Sequence, residues 1–179
     1  MVLNIENSER LCFEIMSEQH ADLLFELDQD PEVMRYINGG TPSTRQEIET
    51  KYLPRMQSYT DPEKGWGIWG VRETESHQFI GWVLVRPMHY FDEARNDADL
   101  ELGWRFKRES WGKGFATEAA IAVMKSLESE GVKQFSALAD EKNTASINVM
   151  KKLGMEYVKT GMHKDPLGDA VVVYYSRTI

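Results

Sequence analysis

The chain has 179 residues, 41% hydrophobic and 28% charged, a length and balance that fit one folded domain over residues 1–179 and exclude a disordered chain. The formal net charge of −8 excludes a general nucleic-acid binder, which needs a basic face to neutralise phosphates. A single cysteine, Cys12, excludes an internal disulfide framework; with no zinc-ligand spacing, no signal-peptide core and no long apolar run, a cytoplasmic protein without metal or membrane partner is expected.

In chain order, Leu11 to Met16 reads as a strand in which Cys12 packs, and Ser17 offers the N-cap of a helix carrying Ala21, Leu23, Leu24 and Leu27. Asp30 and Pro31 start a short helix through Val33, Met34 and Ile37, stopped by Gly39 and Gly40. A further helix begins at Ser43, with Glu47 nearby, and bears Ile48, Tyr52 and Met56; Pro54 should kink or break it. Trp66 to Arg72 and Phe79 to Val85 read as an antiparallel hairpin closed by Pro87, followed by a long polar loop from Met88 to Asp97. From Asp99 to Phe106 the chain alternates, with Leu100, Leu102, Trp104 and Phe106 on one face and Asp99, Glu101, Gly103 and Arg105 on the other. Ala116, Ala119, Ala120, Val123, Met124 and Leu127 then follow helical spacing up to Gly131. Val132 to Ala139 is a strand, Asn143 caps a helix through Lys152 that ends at Gly154, and Glu156 to His163 and Ala170 to Arg177 are two last strands. The pattern is a mixed α/β domain with a mostly antiparallel sheet and no dividing linker.

Charge is unevenly placed. Arg105, Lys107, Arg108 and Lys113 form a basic window against Glu109, while Asp92, Glu93, Asp97, Asp99 and Glu101 precede it against Arg95 alone. Such a layout suits an anionic cofactor beside a cationic substrate; a solvated charged surface is the alternative.

The chemistry centres on a strand that leads through Gly112-Lys113-Gly114 straight into a helix. Glycines let a backbone approach a bound group, and free amides at a helix start attract an anion, so a diphosphate is the natural occupant. A P-loop would need Ser or Thr after Lys113 and an earlier glycine, and neither is present. A dinucleotide loop would want a small residue where Thr117 stands. On the glycines alone, an anion site and a plain strand-to-helix turn both remain open.

The string Ser110-Trp111-Gly112-Lys113-Gly114-Phe115-Ala116-Thr117-Glu118-Ala119 resembles the acetyl-CoA loop of the GNAT superfamily, in its ribosomal-protein N-acetyltransferase (RimJ/RimL-like) branch. Glu9-Arg10-Leu11 with the following Ser17 to Leu24, Val33 to Ile37, and Asn143 to Met155 resemble further stretches of that branch in the same order. The resemblance implies the acyl-CoA N-acyltransferase fold, an α/β (mixed α+β) sheet of about six to seven strands flanked by helices and splayed between Asp99 to Phe106 and Val132 to Ala139. It implies acetyl-CoA as donor and CoA as product, held by Arg108, Trp111, Gly112, Lys113, Gly114, Phe115 and Ala116, with Asn143 on the pantetheine amides.

An amine of pKa about 8 to 10 is mostly charged at neutral pH and needs a base. By resemblance Glu101 takes that role, with Asp99 and then His89 as weaker choices. Ser146 is implied as the group that binds or protonates the departing thiolate, because the superfamily's tyrosine position is occupied here by Met150. Glu109 stands where the family loop has Gln or Arg, which leaves Arg108 or Lys113 as the cationic contact. The expected activity is acetyl transfer to a primary amine, foremost a protein N-terminal α-amino group. The alternatives are a small amine such as a polyamine, amino acid or antibiotic, or a non-catalytic acyl-CoA sensor, and the chain is expected to be a monomer or homodimer.

Overall fold

In the computed structural model, which describes residues 1–179, the alternating segments become seven strands: β1 (Leu11–Ile15), β2 (Gly67–Glu73), β3 (Phe79–Met88), β4 (Asn96–Phe106), β5 (Gln134–Ala139), β6 (Glu156–His163) and β7 (Ala170–Thr178). They form one sheet in the order β1-β2-β3-β4-β5-β7-β6, antiparallel throughout except where β4 meets β5. Pro87 lies inside β3 instead of closing it. The register slips at the Pro87/Met88 step, which spares the sheet the missing N–H.

The helices are α1 (Ala21–Leu27), α2 (Pro31–Asn38), α3 (Arg45–Glu47), α4 (Leu53–Tyr59), α5 (Phe115–Ser129) and α6 (Thr144–Lys152). Ser17 caps a 3-10 turn, Glu18–His20, that runs into α1, and Asp30 and Gly39 bound α2. The cap of the third helical stretch is Thr44, whose hydroxyl and backbone exchange hydrogen bonds with Glu47, and not Ser43. Ser43 is buried and donates to Asp28 Oδ2 at 2.8 Å. Pro54 does not break this stretch. A π turn, Ile48–Tyr52, joins α3 to α4 just ahead of it and accommodates the ring and the lost donor without ending the helix. No helix is long and apolar enough to cross a membrane.

Strand alternation sends side chains to two cores. Val83, Val85, Leu100, Leu102 and Phe106 pack with Ala119, Val123 and Leu127 of α5 and with Met150 of α6. Leu84, from the other face of β3, packs with Leu24, Ile48, Met56 and Tyr59 under α1 to α4. The polar face of β4 is therefore covered as well, and Asp99 and Glu101 are both buried.

The segment before β1 is pinned to α5 by Glu118. Its carboxylate accepts from Ser8 Oγ at 2.7 Å, Arg10 N at 2.8 Å and Arg10 Nε at 2.7 Å, while the Arg10 guanidinium lies 4.3 Å over the Phe115 ring. Burial acts to raise the Glu118 pKa, but these donors outweigh it and hold it below the ordinary 4.5. A depressed carboxylate stabilises the fold above its unfolded pKa, and that contribution fades as pH falls through the folded value. Glu118→Gln is accordingly expected to lower unfolding free energy by about 1–3 kcal/mol at pH 7. In denaturant titrations the gap from the unsubstituted protein should close below pH ~4, and a gap that widens on acidification would contradict the assignment.

Candidate functional site

The sheet opens at its centre. β4 and β5 run parallel and pair at Leu100 with Phe135 and Glu101 with Ser136, and past that point no residue of β5 is paired with β4. The stretch from Leu102 to Phe106 thus keeps β3 on one side and has no strand on the other. A wedge results, with the loop into α5 at the end of one arm and the turn into α6 at the end of the other.

At the first arm, a 3-10 turn, Arg108–Ser110, leads to Trp111, Gly112 and Lys113, and Gly114 caps α5 in the left-handed conformation. Gly112 and Gly114 have φ of 73° and 79°, which only glycine adopts without strain. Each amide from Gly112 to Thr117 donates to no acceptor in the protein; Glu118 N, bound to Gly114 O at 3.0 Å, is the first that does. These free donors, at the positive end of a 15-residue helix, are what a diphosphate requires. Trp111 is 47% exposed, with its Nε1 bound to Phe106 O at 2.9 Å, while Phe115 is buried and Ala116 half-buried beneath the loop.

The basic window is not the funnel its spacing suggested. Arg105 Nη1 lies 2.7 Å from Asp28 Oδ1, Lys107 Nζ 3.0 Å from Glu26 Oε1, and the Arg108 guanidinium forks Asp30, with Nε 2.8 Å from Oδ2. Arg108 holds the Asp30 carboxyl below its usual pKa. Three of the four cations therefore fasten α1 and the α2 cap to the end of β4, and Lys113 is the one without an ionic partner. The complementary spacing Glu26-Asp28-Asp30 was visible in the chain, but nothing local joins it to residues some 80 positions on.

On the face opposite α5, Glu101 is held by an arginine that sequence reasoning had passed over. Arg86 Nε and Nη2 donate to the two Glu101 oxygens at 3.1 and 3.4 Å, and the side chains are only 9% and 7% exposed. Burial works to lower the Arg86 pKa, and the charge and hydrogen bonds of Glu101 outweigh it, so the guanidinium stays protonated. The overlooked signal was an arginine inside the apolar run of β3, directly across from Glu101 in the β3–β4 register.

A second ion pair roofs this one. Arg55 Nη2 of α4 lies 2.6 Å from Asp165 Oδ2 in the turn between β6 and β7, and the Arg55 guanidinium sits 4.0 Å over Phe91. Burial acts to raise the Asp165 pKa, but the Arg55 hydrogen bond overcomes it. Burial also pushes Tyr59, against the pull of Arg86 and Arg55, up to about 12.

Asp99 is buried, accepts from Ser136 Oγ at 2.8 Å and Gln134 Nε2 at 3.2 Å, and sits on the paired side of the divergence; burial raises its pKa against the Ser136 hydrogen bond. His89 stacks near His163 and Tyr174, with Nδ1 3.3 Å from Asp92 Oδ2. At the second arm, Asn143 Oδ1 accepts from Ser146 N at 3.2 Å and caps α6. Ser146 Oγ makes no hydrogen bond within the protein, and Met150, one turn on, is fully buried in the core.

Comparison with known proteins adds a family to this geometry. A family model described as acetyltransferase (GNAT) domain matches residues 10–156. An uncharacterised Bacillus subtilis protein, YkkB, is 28% identical over 155 residues, covering 86% of each chain. A crystal structure of a GNAT-family acetyltransferase from Bacillus anthracis superposes with a TM-score of 0.73 at 24% identity, covering 99% of this chain and 98% of its own. RimL, a ribosomal L7/L12 alpha-N-protein acetyltransferase solved with coenzyme A, superposes with a TM-score of 0.74 at 14% identity, covering 98% and 97%. At those identities the two structures establish the fold: a seven-stranded, mostly antiparallel sheet opened between β4 and β5.

Proposed function

Because the chain belongs to the acetyltransferase (GNAT) family and is an acetyl-CoA-dependent N-acetyltransferase, we propose that its acceptor is a lone amine, the α-amino group of a protein N-terminus. The observation that carries this is the pairing of the acidic stretch. Asp97 holds Arg95 at 2.6 Å, Asp99 is buried and accepts from Ser136, and Glu101 is buried with its carboxylate oriented by Arg86. Asp92, beside His89, and Glu93, on the exposed loop, are the remaining acids. A polyamine or aminoglycoside needs several free carboxylates to fix its several charges, whereas a peptide N-terminus brings one.

When bound, acetyl-CoA supplies an activated thioester. The chain's own part follows from the wedge. The amides from Gly112 to Thr117, with Trp111 and Lys113 beside them, bind the diphosphate; the Arg108 side chain, engaged by Asp30, serves the loop's shape. Glu101 takes the proton of the incoming ammonium at a carboxylate oxygen, and Arg86 fixes the orientation of that carboxylate. Backbone amides of β4 between Gly103 and Arg105 stabilise charge on the acetyl oxygen. Ser146 Oγ, free of protein partners on a helix capped by Asn143, stands for the departing thiolate.

A thiol-release assay over peptides with free N-termini, the same peptides N-terminally blocked, polyamines and aminoglycosides tests the acceptor class. The free peptides are expected to give kcat/KM at least about 100-fold above the polycations. Equal or better turnover of the polycations would reject the peptide reading and leave the family activity standing.

A further inference from the structure

The two edges of the sheet are built differently. β1, at one edge, has five residues, and its Glu14 is held by Arg72 of β2 and borders His20. β6, at the other, has eight residues and pairs only with β7. A free edge carries a row of unpaired N–H and C=O groups, and proteins blunt it with charge, proline or shortness. From Tyr157 to His163, β6 has no proline and a single Lys, Lys159, whose Nζ is drawn 5.0 Å over the Tyr174 ring. Apolar side chains gather there instead: Tyr157, Val158, Met162, Leu167 and Val171 are each between 48% and 57% exposed. Met162 lies directly across from Val171, and Tyr157 from Tyr175, whose ring it meets edge-on at 5.8 Å. These pairs share the sheet face of Val173 and Tyr175, which farther in belongs to the core under α5 and α6.

We propose that β6 is the interface of a homodimer, pairing antiparallel with β6 of a second copy about a twofold axis at Thr160 and joining two seven-stranded sheets. The strand's own sequence selects this occupant and this register. An axis normal to the sheet keeps each face on its own side, so opposed residues must share a face. With the axis at Thr160, Val158 meets Met162 of the second copy and Met162 its Val158, Lys159 meets Gly161, and Glu156 comes opposite Lys164. Glu156 and Lys164 are exposed and have no ionic partner in the chain, so the pairing gives each of them one. An axis at Lys159 would oppose two ammonium groups, and one at Gly161 would set Lys159 against His163 and Val158 against Lys164. The bulge, where the β6–β7 register slips between Tyr157 and Lys159, falls at the end of the new ladder and leaves its centre regular.

Sedimentation velocity on the full chain over a concentration series is expected to show a dimer. Met162→Lys sets an ammonium against Val158 of the second copy and is expected to raise the dimer dissociation constant at least about 100-fold. Because Met162 is exposed, its melting temperature should stay within a few degrees of the unsubstituted protein's. Cysteines read the register. Opposed Cα atoms of antiparallel strands lie about 4.5–5.5 Å apart, inside disulfide range, so Thr160→Cys should give a disulfide-linked dimer under mild oxidation. Lys159→Cys should not, since its two copies are displaced along the strands beyond that range. Unsubstituted protein carried through the same oxidation accounts for Cys12. A chain that sediments as a monomer throughout overturns the proposal. So does a dimer that survives Met162→Lys, or one in which Thr160→Cys links no more readily than Lys159→Cys. Should Met162→Lys fail to fold, the two cysteine variants decide alone.

Discussion

Gly112→Val is expected to weaken CoA binding at least about 100-fold in calorimetry while lowering the melting temperature by only a few degrees. A Cβ on Gly112 would meet nothing within 4 Å in the protein, so its direct consequence for the fold is the strain of a φ of 73°. A left-handed β-branched residue costs about 1–2 kcal/mol or somewhat more, a loss that a chain of this size survives. For a diphosphate the change is severe. The side chain would occupy space at the open side of the loop, and relief of the strain would turn away the amides that meet the phosphate oxygens. Gly114→Val should act in the same direction, with an added contact to Arg10 Nη2, 3.6 Å from the position of its Cβ. Undiminished affinity in both variants would move the phosphate site elsewhere.

Glu101→Gln is expected to lower kcat at pH 7 by about 10²–10⁴-fold, with part of the loss recovered as pH rises and the acceptor amine sheds its own proton. The pairing with Arg86 adds a second effect. Removing the carboxylate leaves a buried guanidinium without its counter-charge, and breaking one side of such a pair typically costs about 3–5 kcal/mol. Gln retains one acceptor oxygen for Arg86, which places the expected loss toward the lower end of that range. The two effects separate on CoA affinity: a base defect leaves it unchanged, whereas partial unfolding lowers it in step with kcat. A folded variant with the unsubstituted enzyme's rate and pH profile would remove Glu101 as the base.

Local signals carried the fold a long way. The spacing from Ala116 to Leu127 marked α5, the alternation from Asp99 to Phe106 marked β4 and its two faces, and Asp30, Gly39, Asn143 and Gly131 marked helix ends that the structure places within a residue or two. Where local signals competed, the tertiary setting decided. Thr44 caps its helix because the Asp28 carboxylate engages Ser43, and a π turn lets the helix pass Pro54. The turn of the glycine loop could be read because its conformation is set by the backbone, with Gly112 and Gly114 both left-handed. Partnerships could not: Arg86 with Glu101, Arg55 with Asp165, and Glu26, Asp28 and Asp30 with Lys107, Arg105 and Arg108 all join segments brought together only by the folded sheet and the helices on it. For that reason the charge pattern promised a basic funnel and an acidic acceptor mouth, whereas Arg105, Lys107 and Arg108 of the first and Asp97 and Glu101 of the second are paired within the fold.

That neutralisation bears on how fast the enzyme meets its donor. CoA is a polyanion approaching a protein of net charge −8, and three of the four cations beside the loop are spoken for by Glu26, Asp28 and Asp30. With Lys113 the one unpaired cation of that window, little long-range attraction of the donor is expected, and the amides act only once the phosphate has arrived. Donor association is accordingly expected to gain little as ionic strength is lowered, with selectivity set by how long a ligand stays.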